Sequence, residues 1–284
     1  MATTPSIQYC QEKTYPVGSS AYYAYLFVPE KQKETIQILY AFFNEVTQIL
    51  YTASDSTVAR AKIEWWKNEI HQLFQGKPEH PISQALVEPI KQYQLSQQFF
   101  TYIIESVEMD LTHNRYLDWV SLKKFCTMQT GAFTCLITQV LTTTTEDNIR
   151  FAQHIGVALH FASFLQNMGA DAQQGRIYIP MDFLRQHNAI AADILNGQHT
   201  EAFQSLMQAQ YLFVKDLFKE GLTYLSPDQR KTLRPILIQI NLSLKLLATL
   251  SKDNWQVLDK SMSLAPISQL FIATKTWISK RVYL

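Results

Sequence analysis

Two carboxylates stand out by position: Glu45 in the stretch FFNEVTQILY (42–51) and Asp171 in FASFLQNMGAD (161–171). Both stretches carry apolar residues at helical spacing and read as two helices facing a common cavity. Acidic residues one turn apart on facing helices can clamp a metal–diphosphate cluster, because magnesium takes oxygen ligands in near-octahedral geometry and bridges carboxylates to phosphates. The first helix, however, offers Thr47, Gln48 and Tyr51 where such ligands would stand. The second offers Asn167 four residues before Asp171, with Gln166 and Ala170 beside them. An amide oxygen carries no net charge and is a poorer magnesium ligand than a carboxylate. The pattern therefore has the frame of a metal site with little of its charge.

The elements that must position these residues are helical nearly throughout. Only eight glycines interrupt the chain, and Ile36, Leu39, Tyr40, Phe43 and Val46 repeat at three- and four-residue spacing. Pro29-Glu30 suits a helix start, so one helix is predicted over 29–52. A second is predicted over 57–74, ending before Gly76-Lys77-Pro78. Others follow at 81–92, 96–109, 121–127, 130–141, 146–168, 180–186, 190–195, 199–221, 227–249 and 263–277, with Thr145 able to cap the helix that begins at Glu146. With no internal repeat and no low-complexity linker, a single all-α domain over 1–284 is the economical reading.

A chain of 284 residues that is 47% hydrophobic can bury a large core, and its net charge of +1 supplies no field to attract nucleic acid. Cys10, Cys126 and Cys135 lack metal-ligand spacing, and the opening MATTPSIQYC lacks the apolar run of a secretory peptide, so the expected compartment is the reducing cytosol. No run reaches the length of a spanning helix. Between Ser261 and Leu284, Lys275, Lys280 and Arg281 stand beside Trp277, Ile278 and Tyr283 without an acidic residue. That pattern suits either peripheral contact at the inner membrane surface or a solvated terminal helix.

Four motifs occur in order: GSSAYYAYLFVPEKQKETIQILYAF (18–42), VARAKIEWWKNEIHQLFQGKPEHPI (58–82), SVEMDLTHNRY (106–116) and GADAQQGRIYIPMDFL (169–184). Over about 18–272 they give the chain a resemblance to the squalene/phytoene synthase family, nearest its bacterial presqualene diphosphate synthase branch. That resemblance implies an isoprenoid-synthase-like helical bundle around a central cavity. It also implies magnesium-dependent head-to-head condensation of farnesyl- or geranylgeranyl-type diphosphates, with metal held by aspartate-rich helices.

The departures from the family pattern fall on that chemistry. Where the family's first motif runs arginine, glutamate, valine, aspartate, aspartate, two apolar residues, aspartate, this chain has Asn44, Glu45, Val46, Thr47, Gln48, Ile49, Leu50 and Tyr51. In the second motif, arginine-aspartate becomes Gln166-Asn167, and the glutamate before Asp171 becomes Ala170. The family also tends to carry a tyrosine and an arginine near Phe125 and Met128, where this chain reads FCTMQTG. Losing one preorganised electrostatic donor commonly costs about 3 kcal/mol in a transition state, and several losses, although not strictly additive, should abolish turnover.

The leading expectation is thus a catalytically inactive family member with no catalytic residue, no bound metal and no cofactor. Glu45, Asp171 and Arg176 would be residual diphosphate- or metal-site positions. Such a protein would bind an isoprenoid or lipid, or act through a protein partner; AFFNEV (41–46) also resembles a related branch that serves as an assembly factor for respiratory complex I. The alternative is a divergent magnesium-dependent prenyltransferase in which Glu45, Glu108 and Asp171 converge.

Bland roles compete at several positions. Glu45 could pair with Lys62 or Lys67, and the Glu105, Glu108 and Asp110 cluster could face solvent or pair with Arg115 or Arg176. Trp65-Trp66 is expected to place one ring in the core and one at an interface. His154 and His160 are six apart, off a common helix face, and neither they nor His71 and His80 resemble a zinc site. The many aromatics, Tyr40, Phe43, Phe161 and Phe164 among them, fill core space before they hold prenyl tails.

Overall fold

The computed structural model describes residues 5–113 and 115–284; the first four residues of the amino-terminal stretch read above lie outside them. Helices follow one another as α1 (Pro5–Lys13), α2 (Ser20–Ala24), α3 (Glu30–Thr47), α4 (Ile49–Thr52), α5 (Ser56–Phe74), α6 (Pro81–Tyr93), α7 (Gln97–Thr112) and α8 (Trp119–Cys126). A π turn (Thr127–Gly131) then leads into α9 (Ala132–Leu141), α10 (Glu146–Gln166), α11 (Met168–Gln173), α12 (Met181–Gln186), α13 (Ala191–Leu195), α14 (Glu201–Leu222), α15 (Arg234–Lys252) and α16 (Pro266–Ser279). Among the described residues the only β pairing is an isolated parallel bridge between Arg115 and Ile177.

Helix starts are set by side chains that take up first-turn amide protons. Asp55 accepts from Thr57 and Val58, Asp118 from Ser121, Thr200 from Phe203, and Thr145 from Asn148 as its sequence position suggested. The α10 helix is the axle of the bundle and packs against α9, α14, α15 and the π turn. It is buried on most of its circumference, through Phe151, Ile155, Val157, Phe161, Phe164 and Leu165 among others, as expected of a core helix rather than a surface one.

Glycine permits the closest approach. A Cβ on Gly156 would lie 2.5 Å from the Thr130 carbonyl oxygen and 2.6 Å from the Gly131 Cα, so α10 and the π turn can touch only because both positions lack side chains.

Three predicted segments differ from the structure. The expected helix over 29–52 breaks at Gln48, where α3 ends and α4 begins; the Thr47 and Thr52 hydroxyls each bond back to a carbonyl four residues earlier, a pattern that loosens helical turns. The helix expected from 227 starts only at Arg234, because Pro235 is favoured in a first turn and the residues before it form turns. Helix α1 was not anticipated: its nine residues bury only Cys10 and carry a weak apolar stripe.

Candidate functional site

Local chain geometry brings together three side chains that are distant in sequence. Helix α11 ends in a Schellman turn: Arg176 N–H donates to the Asp171 carbonyl at 3.0 Å and Gly175 N–H to Ala172 at 2.9 Å, with Gly175 in the left-handed region at φ 73°. The chain then runs extended beside residues 115–117, held by the Arg115–Ile177 bridge and by Met181 N–H donating to the Tyr116 carbonyl at 3.0 Å. In extended chain, residues two apart share a side, and Arg176 and Tyr178 both reach Asp110 near the end of α7.

Arg176 Nη1 lies 2.8 Å from Asp110 Oδ2, and the Tyr178 hydroxyl donates to the same oxygen at 2.8 Å. Arg176 Nη1 also donates to the Tyr178 oxygen at 3.2 Å. Asp110 is only 2% exposed, and its other oxygen, Oδ1, has no partner among the described residues. Burial raises the Asp110 carboxyl above its ordinary value, opposed by the Arg176 charge and the Tyr178 hydrogen bond. Behind this triad stand stacked rings. Phe164 and Tyr178 are 4.1 Å apart and nearly parallel, with Phe125 and His160 against them.

The triad closes one side of a polar chamber of about 150 Å³, lined also by Thr47, Tyr51, Gln129, His160, Ser163, Asn167 and Asp171. Burial, then the neighbouring Asp110 charge, raises the Asp171 carboxyl to about 7, with Arg176 pulling the other way. Burial also holds His160 neutral by lowering it to about 3, and its Nδ1 has no partner among the described residues.

The same helices line a second, apolar chamber of about 260 Å³, with walls that include Tyr40, Phe43, Phe133, Ile137, Leu159, Leu242 and Leu246. Gln239 donates to the hydroxyls of Tyr25 and Tyr40 at 2.9 Å each, which satisfies the polar tips of this otherwise greasy wall. Adjacent residues separate the two environments: Gln129 and His160 face the polar chamber, whereas Thr130 and Leu159 face the apolar one.

The predicted site residues land unevenly. Thr47, Tyr51, Asn167, Asp171 and, behind the wall, Arg176 come together. Gln166 turns to the apolar chamber, where its amide lies 3.4 Å from Ser243 Oγ, and Gln48 and Ala170 are exposed. Glu45 and Asn44 require correction as cavity positions. They lie off the Thr47 face of α3, so Asn44 donates to the Lys13 carbonyl and Glu45 pairs with Lys13 at 3.6 Å. Glu45 instead borders a surface groove with Ile49, Trp65, Trp66 and His80. Neither Lys62 nor Lys67 is its partner. Lys67 holds Glu108 at 2.8 Å and Glu64 at 3.4 Å, so the convergence of Glu45, Glu108 and Asp171 required by the enzymatic alternative does not occur. Trp66 is core and Trp65 is 42% exposed, as the pair's spacing suggested.

Sequence reading underweighted Asp110, Tyr178, Gln129 and His160. The usable signals were EMDL and GRIYIP, whose acid and whose arginine and tyrosine two apart prove complementary.

These donors do not fit a magnesium–diphosphate cluster. Asp110 is committed to Arg176 and Tyr178, which leaves Asp171 as the one lining carboxylate outside an ion pair, and burial disfavours its charged form. Among the described residues no group of three or more His, Cys, Asp or Glu side chains is arranged to hold a metal ion.

The squalene/phytoene synthase family model matches residues 15–269, and the chain belongs to that family. It is 27% identical over 266 residues to a 15-cis-phytoene synthase of Synechococcus elongatus, covering 88% of this chain and 85% of that one. It is 25% identical over 289 residues to a phytoene synthase of Arthrospira platensis, covering 93% of each. In fold it is similar to a dehydrosqualene synthase solved with a ligand (TM-score 0.84, 17% identity, 96% of this chain and 97% of the other). It is also similar to squalene synthase HpnC of Alicyclobacillus acidocaldarius (TM-score 0.78, 22% identity, 88% and 94%). The expected all-α isoprenoid-synthase fold is therefore the observed one. No helix among the described residues is long and apolar enough to cross a membrane.

Proposed function

We propose that this family member binds an isoprenoid chain in its apolar chamber without carrying out metal-assisted condensation. The observation that supports this reading is the chemistry of the polar chamber, where Thr47, Tyr51 and Asn167 replace aspartates and Asp110 is neutralised internally by Arg176. A departing diphosphate develops negative charge that must be met by preorganised cations, and the residues lining this chamber include no lysine or arginine. The test is purified full chain incubated with farnesyl or geranylgeranyl diphosphate and magnesium. Diphosphate release at the uncatalysed rate together with saturable binding of the prenyl chain is expected; condensation product above that rate would overturn the reading.

The relatives' named activity favours a second reading, a divergent magnesium-dependent head-to-head prenyltransferase, and the same assay decides between the two. An apolar ligand is most readily drawn from a membrane, and we propose a peripheral contact there through α16 and the following residues. Ile267, Phe271 and Ile278 are 83%, 66% and 73% exposed, close to Lys275, Lys280 and Arg281. Co-sedimentation with anionic but not neutral vesicles, lost in Phe271→Asp, is the expected result; equal recovery of the variant would remove the contact. A protein partner at this surface would instead leave both vesicle types unbound.

A further inference from the structure

The two unpartnered buried atoms of the polar chamber carry information about the head group of the ligand. Asp110 Oδ1 can only accept a hydrogen bond while the carboxylate is ionised by its pairing with Arg176. His160 Nδ1, in a neutral ring that is 8% exposed, donates or accepts according to tautomer. A buried polar atom left without a partner costs roughly 1 to 3 kcal/mol, so a ligand group that satisfies one gains affinity. Around them Gln129, Ser163 and Asn167 add uncharged donors and acceptors. The nearest cation, Arg176, is already occupied by Asp110 and Tyr178.

A diphosphate offers only acceptors and negative charge, so it leaves Asp110 Oδ1 unsatisfied and places like charges together. A hydrocarbon satisfies neither orphan. A hydroxyl both donates and accepts.

We propose that the polar chamber seats the hydroxyl head of an uncharged isoprenoid alcohol, with its chain directed toward the apolar chamber. This assignment rests on the isoprenoid-binding reading above and narrows it to one head-group chemistry. It also gives the loss of the aspartates a consequence beyond inactivity, since a chamber without free cations or metal ligands discriminates against the diphosphate forms of the same chains.

The test is equilibrium dialysis of the full chain against farnesol, its methyl ether and farnesyl diphosphate, the last with and without magnesium. The ether keeps the chain and the acceptor oxygen but cannot donate. Farnesol is expected to bind about tenfold or more tightly than either of the others, consistent with one hydrogen bond to a charged group. In His160→Phe, which keeps a ring in the aromatic stack, and in Gln129→Leu, the preference for farnesol over the ether should shrink. Equal binding of alcohol and ether, or tighter binding of the diphosphate, would overturn the head-group assignment while leaving isoprenoid binding intact. Failure of all three to bind would overturn the reading on which it rests. The ligand series on the unaltered protein decides the matter even if a variant does not fold.

Discussion

The two chambers lie along the same helices, yet they stand in opposite relation to the family's chemistry. The apolar chamber keeps aromatic and aliphatic walls suited to a prenyl chain, with its few polar tips satisfied by Gln239. The polar chamber keeps the frame of a diphosphate site but has exchanged its charges for neutral side chains and one internally neutralised ion pair. The difference teaches that binding and ionisation are separable demands. A tail needs only excluded water and apolar contact, which tolerate many substitutions of similar volume. Leaving-group departure needs fixed charges at fixed positions, and these are lost one residue at a time.

The largest expected effect comes from breaking the polar region at its ion pair. Arg176→Ala leaves Asp110 charged, 2% exposed and without its cation, and should cost about 3–5 kcal/mol in urea unfolding. Pairing it with Asp110→Asn should recover part of that loss. A change below about 1 kcal/mol would mean that the triad does not hold the Arg176 segment against α7.

Next in size is a pH effect. Because burial raises Asp171 to about 7, the folded protein retains a proton that the unfolded chain has released between about pH 4 and 7. Stability should therefore fall as pH rises through that window, with Asp110, also raised, acting in the same direction. Asp171→Asn should flatten the profile and stabilise the protein above pH 7, by roughly 2 to 4 kcal/mol at most. Thermal melts at pH 5 and pH 8 would check it, and an unchanged pH profile in the variant would contradict the chamber's electrostatics.

The smallest change in stability, and the sharpest separation of the chambers, is expected from Ser243→Phe, which projects a ring into the apolar chamber. Prenyl binding should weaken about tenfold or more, while unfolding shifts by only about 1–3 kcal/mol from overpacking. If binding is unchanged, the chain runs elsewhere.

Much of the architecture was legible because helical periodicity and caps are local. Thr145 caps α10 where expected, and the spacing of Ile36, Leu39 and Phe43 follows the buried face of α3. The break at Gln48 was not legible, since threonine back-bonding and the packing of α4 against α5 and α7 compete with a helical pattern that continues unbroken through Tyr51.

The sequence by itself determined which charges the chamber lacks. The identities at 47, 51 and 167 are set by the chain alone, and no fold can turn a threonine, a tyrosine or an amide into a carboxylate. Only tertiary structure decided which of the remaining charges meet. Glu45 and Asp171 read as partners across a cavity, yet α3 turns Glu45 toward Lys13, while the Schellman turn after α11 and the seam at 115–117 deliver Arg176 and Tyr178 to Asp110. Electrostatic pairing acts over a few ångströms of space, and separation along the chain does not report that distance.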